Sequence, residues 1–481
     1  MFITNMALLK QPANRAGRII FQEDASGWQT FSYGKLGEVT ENIRTFTLPF
    51  EPKPYTFRMK YKYDSFNRMQ RMTYPDGERV SYSYNLGGML YSIGGSKGSD
   101  LYPYVDHIAY NRFELKDSVL YGNGSLTTYI YDTLMRLKHL FCTDGLGDTL
   151  QKLDYRYDAA SNILDITNNA SILTNNLGGR YKNIFSYDSL YRLKTSNGRW
   201  YGTPNTSYQL SMSYSRNGRI TGKSVNARTV RDNAYGSTIG YDRRYSYYGG
   251  SNRVAGIADE NYTQRFDWDG NGNLVRHTNI SEGCVRQYCW DEENRMQGAI
   301  DCKYASFYQY DANGERTYKL TGLNIQHGLD ADINNYSSFY NPTLYASPYV
   351  VCTQKGYTKH YYAESERVAS KIGIGCLVDL CKILNTSADF NDKDYEGNAY
   401  LKDCGNSNEA FFDKQSANKD LFAAVMKCLN SNEWEAKSSL FKLFEHTNCQ
   451  DDREKECYWY HPDHLGSSSW ITFSDGSAVQ H

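Results

Sequence analysis

The chain has 481 residues and nearly balanced charge, with 53 Lys and Arg against 54 Asp and Glu. This balance provides no net positive field for nucleic acid or anionic lipid, which argues against a binder driven by bulk charge. No apolar run reaches the roughly 18 residues of a transmembrane helix, and the N-terminal residues lack the apolar core and cleavage site of a signal peptide. The 44 Tyr and 39 Gly beside only 10 Pro favour an all-β chain of short strands and tight polar turns.

The predicted elements follow a unit of strand, turn, strand and turn, seen most clearly in YKYDSFNRMQRMTYPDGERVSYSYN, residues 61–85. Tyr61 and Tyr63 are two positions apart, so their rings share one face of an extended strand. Asp64 opens a turn, and the PDG segment at residues 75–77 forms a second one.

Copies of this unit recur along the chain, with an aromatic residue, any residue, Tyr or Trp, and then Asp. The clearest positions are Tyr129, Tyr131 and Asp132; Tyr155, Tyr157 and Asp158; Tyr187 and Asp188; Trp290 and Asp291; and Tyr310 and Asp311. In nearly every copy Arg or an aliphatic residue follows five or six positions after the second aromatic residue. Because an isolated hairpin is only marginally stable in water, neighbouring copies must cover one another. We therefore predict a repetitive sheet in which the tyrosines pack units together, in preference to a row of sugar-stacking platforms.

One copy resembles the start of a calcium loop. Asp267, Asp269 and Asn271 occupy alternate positions and Gly272 follows. The twelfth position, however, is Thr278 instead of the bidentate Glu that calcium requires, and the flanking segments are predicted strands. A tight hairpin turn is therefore predicted here.

Residues 372–457 lack the repeat and show a helical period. The clearest predicted helix places five apolar residues on one face: Leu421, Phe422, Val425, Met426 and Leu429. Residues 433–447 (EWEAKSSLFKLFEHT) and 376–384 (CLVDLCKIL) predict two further helices. We interpret this segment as an inserted surface or plug subdomain in preference to a separate enzyme, since it shows no pairing of a nucleophile with a base. Because its helical period interrupts an otherwise continuous β pattern, we expect that it can be deleted without loss of folding of the repeats.

Eleven cysteines are present, and none forms a CxxC pair, which argues against structural zinc. Six of them cluster near the C-terminus: Cys376, Cys381, Cys404, Cys428, Cys449 and Cys457. Disulfides in an oxidising compartment and free buried thiols both fit this cluster.

The chain ends in a distinct motif, His461-Pro462-Asp463-His464-Leu465-Gly466-Ser467. His461, Asp463 and His464 carry metal-ligating groups, but three ligands within four positions of an irregular segment seldom face one ion. A capped turn, in which these groups bond to the backbone, is predicted instead. No catalytic or phosphate-binding motif is present, so we predict no catalytic residue, no cofactor and no metal.

The aromatic-x-Tyr-Asp unit resembles the YD repeat of Rhs proteins, and residues 460–481 are similar to the Rhs repeat-associated core signature. The repeats cover about residues 15–371, and the terminal motif is the most specific match. The resemblance implies a β-sheet strip wound in a spiral to form a hollow shell. In bacterial polymorphic toxins such a shell encloses a C-terminal toxic domain, and relatives occur in insecticidal toxin complexes and teneurin-like surface proteins.

On this basis we expect a YD-repeat β-shell over residues 1–371, the helical insertion over 372–457 and the start of the core motif over 458–481. The resemblance implies a structural shell segment whose partners are the remaining shell segments and a C-terminal toxic domain, with no enzymatic activity. Typical relatives continue to a self-cleaving Asp-Pro-Gly end, which has no counterpart before His481. The alternative is a carbohydrate-binding or adhesion module that uses exposed aromatic residues. Export from the cytoplasm to the cell surface or medium by a non-classical route is expected.

Overall fold

The computed structural model describes residues 14–50, 54–231, 234–328, 333–374, 407–436, 454 and 456–481. Within these residues there are 33 strands and one helix, α1 (Ser407–Cys428). The first strands are β1 Phe21–Asp24, β2 Gly27–Tyr33, β3 Val39–Phe46, β4 Tyr55–Tyr63, β5 Met69–Thr73, β6 Arg79–Tyr84, β7 Leu90–Lys97, β8 Asp100–Tyr110, β9 Lys116–Tyr121, β10 Leu126–Tyr131 and β11 Leu137–Thr143.

The middle strands are β12 Thr149–Tyr157, β13 Ile163–Asn168, β14 Tyr181–Tyr187, β15 Leu193–Trp200, β16 Asn205–Tyr214, β17 Ile220–Arg231, β18 Ala234–Tyr247, β19 Val254–Ala258, β20 Thr263–Trp268, β21 Leu274–Asn279 and β22 Cys284–Trp290. The last strands are β23 Met296–Ile300, β24 Tyr304–Tyr310, β25 Arg316–His327, β26 Asn334–Ser347, β27 Val350–Thr353, β28 Gly356–Ala363, β29 Glu366–Ile374, β30 Glu433–Ala436, β31 Glu456–Pro462, β32 Ser468–Thr472 and β33 Ala478–Gln480.

These strands form one continuous sheet. From β1 to β29 each strand pairs antiparallel with the next, as in the pairs β4 to β5 and β5 to β6. β31 then pairs antiparallel with β29, and β32 and β33 continue the strip. The prediction of an all-β, repetitive antiparallel strip with a helical element near the C-terminus is confirmed. Between residues 15 and 371 the described residues contain strands and turns and no helix.

Alternation of apolar and polar side chains gives each strand one face to bury. In β4, Tyr55, Phe57 and Met59 are buried, while Thr56 and Arg58 between them are partly exposed. A strand directs successive side chains to opposite faces, so this pattern places three large apolar groups on one side of the sheet.

No helix among the described residues is long and apolar enough to cross a membrane.

The strip curves so that its last strands lie against its early ones. The rings of Tyr104 on β8 and Tyr361 on β28 stack with centroids 3.8 Å apart. Tyr74 donates a hydrogen bond of 2.8 Å from its hydroxyl to the carbonyl oxygen of His360. The indole nitrogen of Trp459 on β31 donates to the carbonyl oxygen of Tyr104 over 2.9 Å. Residues far apart in sequence therefore share one hydrophobic core.

Helix α1 belongs to the same core. Phe422 is fully buried, and its ring centroid lies 4.9 to 5.1 Å from those of Phe50, Phe307, Phe339 and Trp434. The predicted helical face is confirmed, because Phe422, Val425, Met426 and Leu429 are all buried while Leu421 packs at its margin. The helix therefore shares its apolar surface with Phe50, which follows β3, and with β24, β26 and β30, so deletion of the insertion is expected to expose core residues of the sheet.

The helix predicted over residues 433–447 is wrong at its start. Glu433–Ala436 forms strand β30, which pairs in parallel with Tyr336–Phe339 of β26. β27 pairs with β26 only from Thr343 onward, so the preceding part of that edge has free backbone groups, and β30 satisfies them. Residues 437–447 and the helix predicted over 376–384 lie outside the described residues. The bounds of the insertion, residues 372–457, remain a prediction. Strand β29 before it ends at Ile374, and strand β31 after it begins at Glu456.

Candidate functional site

The Asp of each repeat organises the hairpin turn that follows it. The Oδ1 atom of Asp132 accepts hydrogen bonds from the backbone N–H groups of Leu134 (2.9 Å) and Arg136 (3.0 Å). Its Oδ2 atom accepts from Nε of Arg136 over 2.7 Å and pairs with Nη2 at the same distance. Met135 has a φ of +60°, as the bulged residue of this turn requires. In the structure the repeat Asp therefore lies at the turn and caps it.

The Arg that ends the turn connects each copy to the next. Nη1 of Arg136 donates to the carbonyl oxygen of Asp158 over 3.1 Å, and its guanidinium carbon lies 4.6 Å from the ring centroid of Tyr157. The Tyr157 hydroxyl in turn donates to the carbonyl oxygen of Leu137 over 2.7 Å. One Arg thus caps its own turn, stacks on the tyrosine of the following hairpin and binds that hairpin's Asp carbonyl.

The same connection recurs along the strip. In most hairpins the second aromatic residue donates to a carbonyl at the start of the return strand of the preceding hairpin, as in Tyr84 to Met69, Tyr131 to Lys116, Tyr187 to Ile163, Trp290 to Leu274 and Tyr310 to Met296. The capping contacts from Asp to a following Arg recur at Asp64, Asp188 and Asp291, Asp158 caps through Asn162, and Asp311 through backbone N–H groups alone.

The tyrosines of the predicted pairs are buried to different extents. Tyr129 and Tyr155 are buried, whereas Tyr61 is partly buried against the core. Burial raises the pKa of Tyr131 and Tyr157, which keeps these hydroxyls neutral and available as donors. The structure therefore uses most of these rings for packing between units. Tyr63 is half-buried beside a cleft, and its hydroxyl group has no hydrogen-bond partner among the residues that the structure describes.

The segment that resembled a calcium loop is a hairpin turn of the same kind. Oδ1 of Asp269 accepts from the N–H of Asn273 over 2.8 Å, and Oδ2 accepts from its side-chain amide over 2.9 Å. Gly272 has a φ of +94°, which glycine adopts without strain. The turn links β20 to β21, in agreement with the prediction.

The terminal motif is a further copy of this turn. Oδ1 of Asp463 accepts from the N–H groups of Leu465 (2.8 Å) and Ser467 (3.0 Å), and Gly466 has a φ of +77°. The register between β31 and β32 shifts at Pro462, where a YD copy carries its second aromatic residue. Leu465 at the tip is exposed. In the structure the motif therefore forms a turn that Asp463 caps.

The two histidines of the motif have different partners. His461 is fully buried; its Nε2 atom lies 2.9 Å from the Thr472 hydroxyl, and its ring meets that of Tyr121 edge-on with centroids 4.7 Å apart. Burial lowers the pKa of His461 to about 3, so the ring is neutral. His464 is half-buried, with Nδ1 3.3 Å from the Tyr155 hydroxyl. Because Asp463 caps its own turn, the three groups face three different partners and not a common ion.

Through its contacts the end of the chain attaches to strands β9 and β12 and to the turns that follow β9 and β11. The side-chain amide of Asn123 donates to the Thr472 hydroxyl and to the carbonyl oxygen of Phe473, at 2.8 and 2.9 Å. The N–H of Gly145 donates to the carbonyl oxygen of Gly476 over 3.1 Å. The motif therefore closes the curved strip onto segments more than 300 positions earlier.

A second group of side chains closes the strip a short distance away, and we call it the seam cluster. It comprises three carboxylates and three ammonium groups: Asp76, Glu78, Glu454, Lys97, Lys359 and Lys371. Nζ of Lys359 lies 2.8 Å from Oδ2 of Asp76 and also contacts the carboxylates of Glu78 and Glu454. Lys359 and Glu78 are both fully buried.

Electrostatics hold the seam cluster in its ionised form. Burial alone would raise the pKa of Asp76, but the ammonium groups of Lys359 and Lys97 outweigh it and lower that pKa to about 2. Burial alone would lower the pKa of Lys359, and the surrounding carboxylates raise it instead. The Tyr361 hydroxyl donates to Glu78 over 2.9 Å, which satisfies a remaining carboxylate acceptor.

The chemistry of the seam cluster fits cross-linking of strands. The oxygens of Asp76, Glu78 and Glu454 lie within 4.8 Å of one another, as metal ligands would. The Lys359 ammonium group, however, contacts all three carboxylates, and together with Lys97 and Lys371 it balances their charge. The cluster thus joins the turn between β5 and β6 to β28 and β29. Sequence reasoning missed it, because these partners are more than 280 positions apart.

Comparisons with known proteins agree with this architecture. The family description "Teneurin YD-shell" matches residues 14–318. Toxin subunit YenC1 of Yersinia entomophaga is 33% identical over 126 residues, which cover 24% of this chain and 13% of that protein.

Two solved structures share the fold. A crystal structure of TcdB2-TccC3-Cdc42 aligns with a TM-score of 0.60 at 15% identity over 97% of this chain. A Photorhabdus luminescens Tc holotoxin pore aligns with a TM-score of 0.58 at 14% identity over 96% of it. This chain spans 20% of each of those chains. With the family match covering more than half of its length, the chain belongs to the teneurin YD-shell family, a family of structural β-sheet shells.

Proposed function

We propose that this chain forms part of the wall of a shell that encloses a toxic protein domain. The observation that carries the proposal is the closure of one uninterrupted strip on itself, through the terminal motif and the buried seam cluster. A wall built in this way excludes proteases and other proteins sterically, and its repeats need only pack against neighbours. The contacts described above are all structural, so the role we propose involves no enzymatic activity of this chain.

The relatives support this function and suggest partners. The similar solved structures are assemblies of TcdB2 with TccC3, and one is a Tc holotoxin pore. By analogy we propose that this chain assembles with further shell segments and a toxic domain. We also propose that the assembly leaves the cytoplasm by a non-classical route and acts at the cell surface or in the medium.

Strands β16 to β20 suit contact with such partners. From residue 199 to 277, outside 230–238, no residue is buried, so both faces of the sheet are accessible there. Tyr208 and Ile239 are among its exposed apolar side chains. In strands such as β4 and β28, by contrast, one face of the sheet is buried, and a covering layer over β16 to β20 would likewise bury this apolar surface.

Protection of an enclosed domain against protease tests the proposal. The polypeptide encoded by the complete reading frame is digested in buffer and in urea sufficient to unfold the sheet, and the toxic domain alone serves as the control. We expect digestion of that domain to be about tenfold slower or more within the native assembly. Equal digestion rates for the toxic domain in the native assembly and alone would contradict enclosure, provided that circular dichroism shows the sheet to be folded.

The alternative function, adhesion, remains a prediction. Saturable binding to a glycan array that is lost when exposed aromatic residues are replaced would favour it.

A further inference from the structure

Two cysteines meet where helix α1 ends on the sheet. Cys289 lies on β22, and Cys428 is the last residue of α1, whose end packs on the neighbouring strand β23. Both are free thiols in this structure. Neither contributes to the turns, the motif or the seam cluster.

Backbone packing fixes this approach. Gly298 is the register partner of Cys289 on the neighbouring strand β23. A Cβ atom at Gly298 would lie 2.6 Å from Cγ1 of Val425 and 2.9 Å from Cδ1 of Leu429, so the helix end rests directly on the backbone of β23. Val425 and Leu429 are buried. Their packing holds the helix end, and therefore Cys428, over Cys289.

The two thiols differ in the way that thiol–disulfide exchange requires. Cys428 is exposed and Cys289 is buried. The hydrogen bond from Cys289 lowers the pKa of Cys428 to about 7 and, together with burial, raises the pKa of Cys289. An accessible thiol with a pKa near ambient pH is the better attacking group, and the buried one is placed to resolve the mixed disulfide.

An existing disulfide shows that this part of the strip accommodates oxidation. Cys284, on the same strand as Cys289, is bonded to Cys302 just after β23. Disulfides persist in oxidising compartments, such as those met by exported proteins. The compartment that maintains this bond would also supply an oxidant to Cys428.

We propose that Cys428 and Cys289 form a second disulfide, which fastens helix α1 covalently to the sheet by exchange with a low-molecular-weight disulfide such as glutathione disulfide. The Cys428 thiolate attacks one sulfur of glutathione disulfide, forms a mixed disulfide and releases one glutathione thiolate. The Cys289 thiol then attacks Sγ of Cys428, and its proton passes to the departing glutathione sulfur, which releases the second glutathione. Two thiols are oxidised to one disulfide, and one glutathione disulfide is reduced to two glutathione molecules.

The bond would close a long loop between β22 and the end of α1. Cross-linking a long loop restricts the unfolded chain more than a short one, and it prevents separation of the helix from the sheet. We therefore expect amide hydrogen exchange in α1 to slow by about tenfold or more upon oxidation. Exchange in β5 to β8, which lie apart from the bond, is expected to be unchanged.

Peptide mapping tests the proposal. The full chain is equilibrated with glutathione disulfide, its remaining thiols are alkylated, and the peptides are analysed without reduction. We expect a linked pair containing Cys289 and Cys428, and in Cys289→Ala a glutathione adduct that persists on Cys428. The variant Cys352→Ala, which removes a different buried thiol, is the matched control and should still form the link.

Three outcomes would overturn the proposal. They are alkylation of both thiols in the oxidised sample, a stable glutathione adduct on Cys428 of the wild-type chain, and a link from Cys428 to any other cysteine. Hydrogen exchange provides the second readout, since a disulfide that left exchange in α1 unchanged would not fasten the helix. Far-ultraviolet circular dichroism establishes that each variant is folded.

Discussion

Replacement of Lys359 by Met should destabilise the protein more than any exposed ion-pair variant. Lys359 is fully buried, and its ammonium group contacts Asp76, Glu78 and Glu454. Met fills a similar volume but leaves the carboxylates short of one cation. Removal of one partner from a buried ion pair costs about 3–5 kcal/mol, because the remaining charge stays buried without compensation.

Urea unfolding followed by tryptophan fluorescence gives the free energy of unfolding for this comparison. The matched control is Lys116→Met, since Lys116 pairs with Glu366 at 2.6 Å but both side chains are partly exposed. Exposed pairs contribute about 1 kcal/mol or less. A loss for Lys359→Met no larger than that of the control would refute a stabilising role for the seam cluster.

The pH dependence provides a further check on the same variant. Without Lys359, burial becomes the stronger influence on Asp76 and Glu78, and their folded-state pKa values should rise. A carboxyl group whose folded-state pKa is raised binds protons more readily when folded, so the variant should lose less stability than the wild type on acidification. The difference in free energy of unfolding should therefore narrow from pH 7 to pH 5. A constant difference would contradict this electrostatic explanation.

Three further variants or conditions test other parts of the structure. Phe422→Ala should lower the free energy of unfolding by about 3–5 kcal/mol, because removal of the ring leaves a cavity between α1 and the sheet. The control is Lys419→Ala at an exposed position of the helix, and equal losses of stability in the two variants would show that the helix is not part of the core. Tyr157→Phe should cost about 0.5–1.5 kcal/mol through loss of one hydrogen bond between repeats, and an unchanged urea midpoint would argue against that connection. In the wild type, the folded-state pKa of Asp76 is about 2, below its unfolded value, so its contribution is present above about pH 5 and is lost as the pH falls toward 2. Acid titration of the urea midpoint measures this loss, and a midpoint that stayed constant over the range would contradict it.

Local patterns in the sequence were sufficient to predict the strip, its turns and the face of α1. Spacing of Tyr61 and Tyr63 by two positions and the Asp that follows them act within one hairpin, so a single sequence contains the relevant information. The Arg of the repeat was visible in the same pattern. Its principal partner, however, lies in the next hairpin, as Tyr157 does for Arg136, and that pairing emerges only once the register is known.

The parts that could not be predicted depend on contacts between distant segments. Glu78 and Lys359 are 281 positions apart, and nothing near either residue indicates the other. Strand β30 arises from the unpaired edge of β26, which overrides the helical pattern of residues 433–436. Tertiary context therefore decided both the seam cluster and this local secondary structure.

Cryo-electron microscopy of the polypeptide encoded by the complete reading frame would test the central claim most directly. The account predicts a continuous β-sheet wall in which residues 456–481 contact strands β9 and β12 and the turns that follow β9 and β11, with density for an enclosed polypeptide on the inner side of the wall. A folded wall around solvent alone, with the toxic domain outside it, would contradict the claim.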